Sequence, residues 1–177
     1  MGAEMMGEGT LMLNMVNISR VGVGARVTKG TLEVIKGSIQ GTTVGLSVTG
    51  GSATMMGGSI QGGGTGSYGV IVESSGNVTL SGGVEVSRFA TGVYVKGGTF
   101  KMTEGSITGM GNSQGTGIYA VGGNVTLSGG VDISGFATGV RVEKGVLEIK
   151  GGLTISLASG GGYGVIVGSS VKSASCL

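Results

Sequence analysis

The stretch G-N-V-T-L-S-G-G-V at 76–84 returns unaltered at 123–131, 47 residues further on. F-A-T-G-V at 89–93 returns at 136–140 with the same offset, and Y-G-V-I-V at 68–72 returns at 163–167, close to twice that distance. Half of 47 is the more basic unit. A glycine opening a short alternating strand stands at Gly2, Gly24, Gly45, Gly69, Gly92, Gly117, Gly139 and Gly164, with a mean step of about 23 residues. Fixed self-similarity at this period is the signature of a solenoid or array. Each unit reads as three short strands, as in G-V-Y-V (92–95), T-F-K-M (99–102) and G-S-I-T (105–108). Apolar and polar residues alternate in each, the period-2 pattern of a half-buried strand. Between the strands stand glycine-rich corners such as K-G-G, S-G-G and E-G. Glycine turns there because it accepts positive φ without a Cβ clash.

Strands this short, with like residues spaced by one repeat, cannot make stacked hairpins. A coil lying on the next coil satisfies both facts and pairs every backbone group with its neighbours. The predicted fold is all-β, a right-handed parallel β-helix of about seven three-strand coils of about 23 residues in one domain, 1–177. The hand follows from the near-universal right-handedness of parallel crossovers. A left-handed hexapeptide solenoid would need a strict six-residue period, and none is present. At about 4.8 Å per coil the rod would be roughly 35 Å long.

Composition narrows the chemistry. There are 43 Gly, one Cys and no Pro, His or Trp, and charged residues make up 11%. Collagen needs glycine at every third place with abundant proline. A disordered linker would carry fewer aliphatic residues than a chain that is 39% hydrophobic. A disulfide framework needs more than one cysteine. Chemistry that depends on a histidine base or an imidazole ligand is excluded. The missing proline suits central strands, which cannot spare an N–H. The 11 basic residues lie singly, without interleaved aromatics, so no nucleic-acid partner is expected. No run of 18 apolar residues exists, and Met1-Gly2-Ala3-Glu4 has no basic segment leading into an apolar one, so neither a membrane span nor a leader is expected in this stretch.

Stacking the repeat predicts the core. The first face holds Val27, Val48, Val72, Val95, Ala120, Val142 and Val167, with Leu46, Val70, Val93, Ile118, Val140 and Val165 two residues earlier. The second runs from Leu32 and Val34 through Met55, Val78, Leu80, Phe100, Met102, Val125 and Leu127 to Leu147 and Ile149. The third holds Ile18, Ile39, Ile60, Val86, Ile107, Ile133 and Ile155, and Phe89, Phe136 and Val21 are placed to plug the third corner.

Catalytic chemistry is sparse. β-Helical polysaccharide lyases and hydrolases need Asp and Glu clustered on neighbouring coils. This chain has one aspartate, Asp132, expected beside Thr108 and Thr154 with Glu85 two coils away. Solvated charges on a sheet face explain these residues better than an acid–base pair. No cofactor and no metal is expected. Glu33, Thr54, Thr79, Lys101, Thr126 and Glu148 form the outward row of the second face, and the charges break any threonine ladder. Cys176 is a lone cysteine, more often inert than reactive.

The outward row of the first face is different. Arg26 and Ser47 lead into Ile71, Tyr94, Tyr119, Arg141 and Ile166, a continuous apolar, aromatic and arginine stripe. Tyrosine and arginine dominate interface hot spots, and a contiguous exposed apolar patch usually has a use. The plainer reading is that tyrosine and isoleucine are good strand formers that stack well on like neighbours. The third corner is short at 87–91 and 134–138 and longer at 62–68, 109–116 and 157–163, with Tyr68, Asn112, Gln114 and Tyr163 as its grips.

G-G-S-I-x-G, T-G-V-Y-V-K-G-G-T, G-N-V-T-L-S-G-G-V and V-x-I-S-x-F-A-T-G-V together resemble passenger domains of bacterial autotransporters (type V secretion), especially those of alphaproteobacterial pathogens that colonise blood and endothelium. The resemblance covers nearly the whole chain. It implies a β-helix displayed on or released from the bacterial surface, a non-enzymatic adhesin or host-cell-stimulating factor. The implied partner is a host cell-surface receptor or an extracellular matrix protein. It brings no catalytic residues. A full autotransporter also has a signal peptide and a membrane barrel, neither of which lies within these residues, so the chain reads as part of a longer passenger. Uncapped solenoid ends expose strand edges, from which weak end-to-end self-association is expected. The alternative is a purely structural stalk, and less favoured is a polysaccharide lyase or hydrolase.

Overall fold

The computed structural model describes residues 1–112 and 114–176, with Thr65, Gly66 and Cys176 described by backbone alone. Among these residues every regular element is a strand. They are β1 (Ala3–Met5), β2 (Thr10–Asn14), β3 (Asn17–Val27), β4 (Thr31–Val48), β5 (Ser52–Val72), β6 (Asn77–Val95), β7 (Thr99–Thr108), β8 (Thr116–Ala120), β9 (Asn124–Ser134), β10 (Thr138–Lys150), β11 (Leu153–Ser156) and β12 (Tyr163–Cys176). Every pairing is parallel, and the chain is a parallel β-helix of about 8 turns.

The register is the one the repeat predicts. Ala3, Ala25, Leu46, Val70, Val93, Ile118, Val140 and Val165 pair in turn along the first face. The eight coil-opening glycines immediately precede these residues and therefore stack in one column. Strand length differs from expectation. β5 alone runs 21 residues, because hydrogen bonding continues from coil to coil around the bends. The second corner shows how. Each coil has a residue of positive φ at one matching place there, Met15 (54°), Lys36 (50°), Gly57 (69°), Gly82 (68°), Glu104 (61°), Gly129 (70°) and Gly151 (99°), and in four coils the glycine that follows, Gly58, Gly83, Gly105 or Gly130, has it too. Three of the seven are not glycine. Each takes a conformation that disfavours L-residues by roughly 1–2 kcal/mol, and the bonded coils on either side hold it there.

The coil-opening glycines are needed for a different reason. Those at 24, 45, 69, 92, 117 and 139 do not have positive φ. Each faces inward where the first and third faces meet, and a Cβ there would lie under 3.0 Å from other atoms. For Gly24, Gly45, Gly92, Gly117 and Gly139 these are the third-face isoleucine Cγ2 (Ile39, Ile60, Ile107, Ile133, Ile155) and the carbonyl oxygen of the next coil's glycine. For Gly69 the valine Val86 takes the isoleucine's part. The column is a slot for the isoleucine stack, so much of the glycine excess reflects space as well as turning.

The core follows the stacked lists on all three faces, and Ala25, Val44, Ala53, Val84 and Val131 join it. Phe89 and Phe136 are 1% exposed and plug the third corner as expected, the Phe89 ring filling space that side chains at Gly62 and Gly69 would need. Val21 is not their counterpart; it is half-buried and pairs with Gly41. The last coil departs from expectation too. Val165 and Val167 are 44% and 47% exposed, although Val140 and Val142 beneath them are fully buried. β12 pairs with β10 alone, so its inner side chains have no coil above them. Ile18 and Ile155 are half-buried for the same kind of reason, near the two ends of the stack. The thiol of Cys176 lies outside the described side chains.

Gly92→Ala should force the Ile107 contact apart and cost about 1–3 kcal/mol by overpacking. In a chain of this size that is a drop of roughly 3–10 °C in thermal midpoint. Gly162→Ala, where nothing lies within 4 Å, should leave the midpoint unchanged in the same melting experiment.

Candidate functional site

In-register stacking places the outward residues of the first face in one row. Glu4, Arg26, Ser47, Ile71, Tyr94, Tyr119, Arg141 and Ile166 are successive Cα partners on eight coils. The structure therefore brings the five predicted residues, Ile71, Tyr94, Tyr119, Arg141 and Ile166, together. Their exposure is less than expected. Arg141 is exposed, but both tyrosines and both isoleucines are half-buried, because each side chain covers the next.

The tyrosines form a stack. The Tyr94 and Tyr119 ring centroids are 5.4 Å apart with planes 20° from parallel. Tyr68 extends the stack from the other side, 5.2 Å from Tyr94 at 17°. Such offset pairs contribute about 0.5–1.5 kcal/mol beyond the area they bury. Tyr68 was expected in a corner loop. Its backbone instead belongs to β5, paired with Val44 and Thr91, and its ring reaches diagonally onto Tyr94. Diagonal neighbours on a sheet lie within reach of aromatic side chains. No signal in the repeat pointed to this contact. The second copy of the motif behaves differently, since Tyr163 is 63% exposed.

Charges flank the stack and are largely internally matched. The Arg141 guanidinium lies 5.5 Å from the Tyr119 ring centroid, and its Nη2 is 2.8 Å from Glu143 Oε1. The same oxygen accepts hydrogen bonds from Arg141 Nε at 3.1 Å and from the Tyr119 hydroxyl at 3.0 Å. On the other side Lys96 Nζ lies 5.4 Å from the Tyr94 ring centroid and 2.6 Å from Glu73 Oε1. Burial pushes the Tyr119 phenol above its ordinary 10.0, and the Glu143 carboxylate adds to the shift. The hydrogen bond to Glu73, and then its negative charge, raise Lys96. Both faces of Tyr94 are covered by tyrosines, and Tyr119 lies between Tyr94 and Arg141. What the row offers outward is ring edges, phenol hydroxyls, two isoleucines and the guanidinium.

The third-face carboxylates sit differently from expectation. Asp132 is in register with Ser106 and Thr154, and Glu85 with Ser106, so a serine separates the two acids along the column. Thr108 belongs to a neighbouring row with Ser87 and Ser134 because it stands two residues beyond Ser106. Asp132 and Glu85 are both exposed. Among the described residues no three His, Cys, Asp or Glu lie together as metal ligands would. The second-face row from Glu33 to Glu148 stacks as predicted.

Compared with known proteins, the chain matches no family model, no curated protein and no solved structure.

A tyrosine whose folded pKa is raised favours the folded state below 10.0, and that stability is lost as pH rises through the folded value. Alkaline titration read at 295 nm should therefore show a phenol ionising above the ordinary tyrosine range. Glu143→Gln should bring that component down part of the way, leaving the shift due to burial, and Tyr119→Phe should delete it.

Proposed function

We propose that this chain is the β-helical part of a bacterial autotransporter passenger, displayed on or released from the cell surface. It acts by binding a host cell-surface receptor or a matrix protein, without catalysis. Two things support the reading. The repeat motifs that resemble such passengers lie on a parallel β-helix, and the helix presents one organised surface row.

The Tyr68–Tyr94–Tyr119 stack capped by Arg141 is the observation that carries it. A row held by stacking and by the shared Glu143 oxygen is already ordered, so a partner would immobilise few side chains on binding. Its ring edges and isoleucines supply apolar contact, and its hydroxyls and guanidinium supply direction. Tyrosine and arginine in this setting are the usual anchors of an interface.

A spacer role is the competing reading. It is favoured by the same stack, since rings that cover each other's faces also stiffen a rod. The two readings separate in one experiment. Tyr94→Ser with Tyr119→Ser should leave the β-rich circular dichroism spectrum intact and lower stability by about 1–3 kcal/mol, two stacked pairs being lost. Binding of the purified chain to endothelial cells or to an immobilised receptor ectodomain should fall at least tenfold. A wild-type chain that binds no host surface would favour the spacer, and a variant that binds as well as wild type would overturn the tyrosine row as the binding surface.

A further inference from the structure

The first corner of the last four coils carries a second surface feature. Lys96, Lys144 and Lys172 line a hollow of about 470 Å³ together with Gly122, Gly123 and Asn124. No carboxylate is among its lining residues. Glycines at the corner supply no side chains, so the floor is open backbone, and the lysines supply the walls. Two irregularities lie beside it. The register of β12 against β10 shifts between Val142 and Lys144, and again between Gly145 and Val146. Lys172 is the residue inserted by the second shift, between the partners of Gly145 and Val146. Such a bulge re-aims a side chain that regular pairing would point elsewhere.

The charge is concentrated at this end. At the corresponding corner of the early coils Lys29 is paired with Glu8. In the hollow Lys96 is held by Glu73, while Lys144 and Lys172 form no ion pair among the described residues. The lysines stand on the fifth, seventh and eighth coils, so at about 4.8 Å per coil they span roughly 14 Å along the rod. One small anion cannot neutralise charges that far apart, whereas a linear polymer lying along the axis can. Bases of a single-stranded nucleic acid would need aromatic faces to stack on, and the nearest rings, Tyr94 and Tyr119, are stacked on each other.

We propose that this corner binds a linear acidic polysaccharide, with Lys144 and Lys172 as its principal cationic contacts and Lys96 as a third held in place by Glu73. The site goes beyond the receptor-binding reading and does not depend on it.

The test uses the whole chain and a size-defined heparin oligosaccharide, with dextran of equal length as the neutral control and a single-stranded DNA 12-mer as the competing polyanion. Titration calorimetry at two salt concentrations should show heparin binding that weakens with salt and no binding of dextran. Lys144→Gln with Lys172→Gln should weaken heparin at least tenfold with an unchanged melting temperature. Lys36→Gln with Lys101→Gln, which removes the same charge elsewhere, should change it less than twofold. Equal loss in both double variants would reduce the effect to net charge and overturn the site, as would the absence of heparin binding. DNA bound as tightly as heparin, with the same dependence on Lys144 and Lys172, would overturn the assignment to a polysaccharide. Tyr94→Ser with Tyr119→Ser should leave heparin affinity within twofold, so loss of receptor binding and loss of glycan binding are read separately.

Discussion

Backbone hydrogen bonds between like positions on successive coils are the constraint on which everything else in this protein depends. Lys96 donates to the Val72 carbonyl, Val121 to that of Val95, and Asn124 to that of Gly98, each bond crossing one coil step. A parallel ladder of this kind permits one spacing and one register. It therefore forces every side chain to lie on its counterpart one repeat away. Proline would remove a rung, and none is present. The ladder also holds Met15, Lys36 and Glu104 in left-handed backbone conformations that short isolated turns would surrender.

Side-chain packing then follows column by column. Inward columns must be apolar and must interlock across a thin cross-section. At the corner between the first and third faces there is room for one branched side chain per coil, and the isoleucine stack takes it. The facing column is left to glycine. Phe89 and Phe136 do the corresponding work at the third corner, each where that corner is short.

Outward columns obey the same stacking rule with water on one side. Where like charges would repeat, the chain alternates sign or inserts a neutral residue, as with Glu85, Ser106 and Asp132. Where tyrosines repeat, stacking satisfies their faces, and nearby charges are matched in cis by Glu73 and Glu143. The first face thus ends as an ordered, nearly neutral row. The adjoining corner, at the far coils, keeps Lys144 and Lys172 without an ion pair among the described residues. These surfaces differ in chemistry, which is why they are assigned different partners.

Most of the fold was legible in the repeat. The 47-residue copies and the glycine step of about 23 determined coil size, register, the buried columns and the row containing Ile71, Tyr94, Tyr119, Arg141 and Ile166. They could do so because parallel in-register pairing turns sequence period directly into spatial neighbourhood. What escaped were relations that cross columns. Tyr68 reaching Tyr94, Ile107 meeting the glycine slot at Gly92, and Lys172 turned into the corner by a bulge depend on side-chain reach and local register shifts. The exposure of Val165 and Val167 escaped as well, because an identical motif is buried or open according to whether a coil lies above it. The sequence by itself determined which residues stack along the rod. Only the tertiary structure decided which of them touch across it, because those contacts depend on where each corner bends.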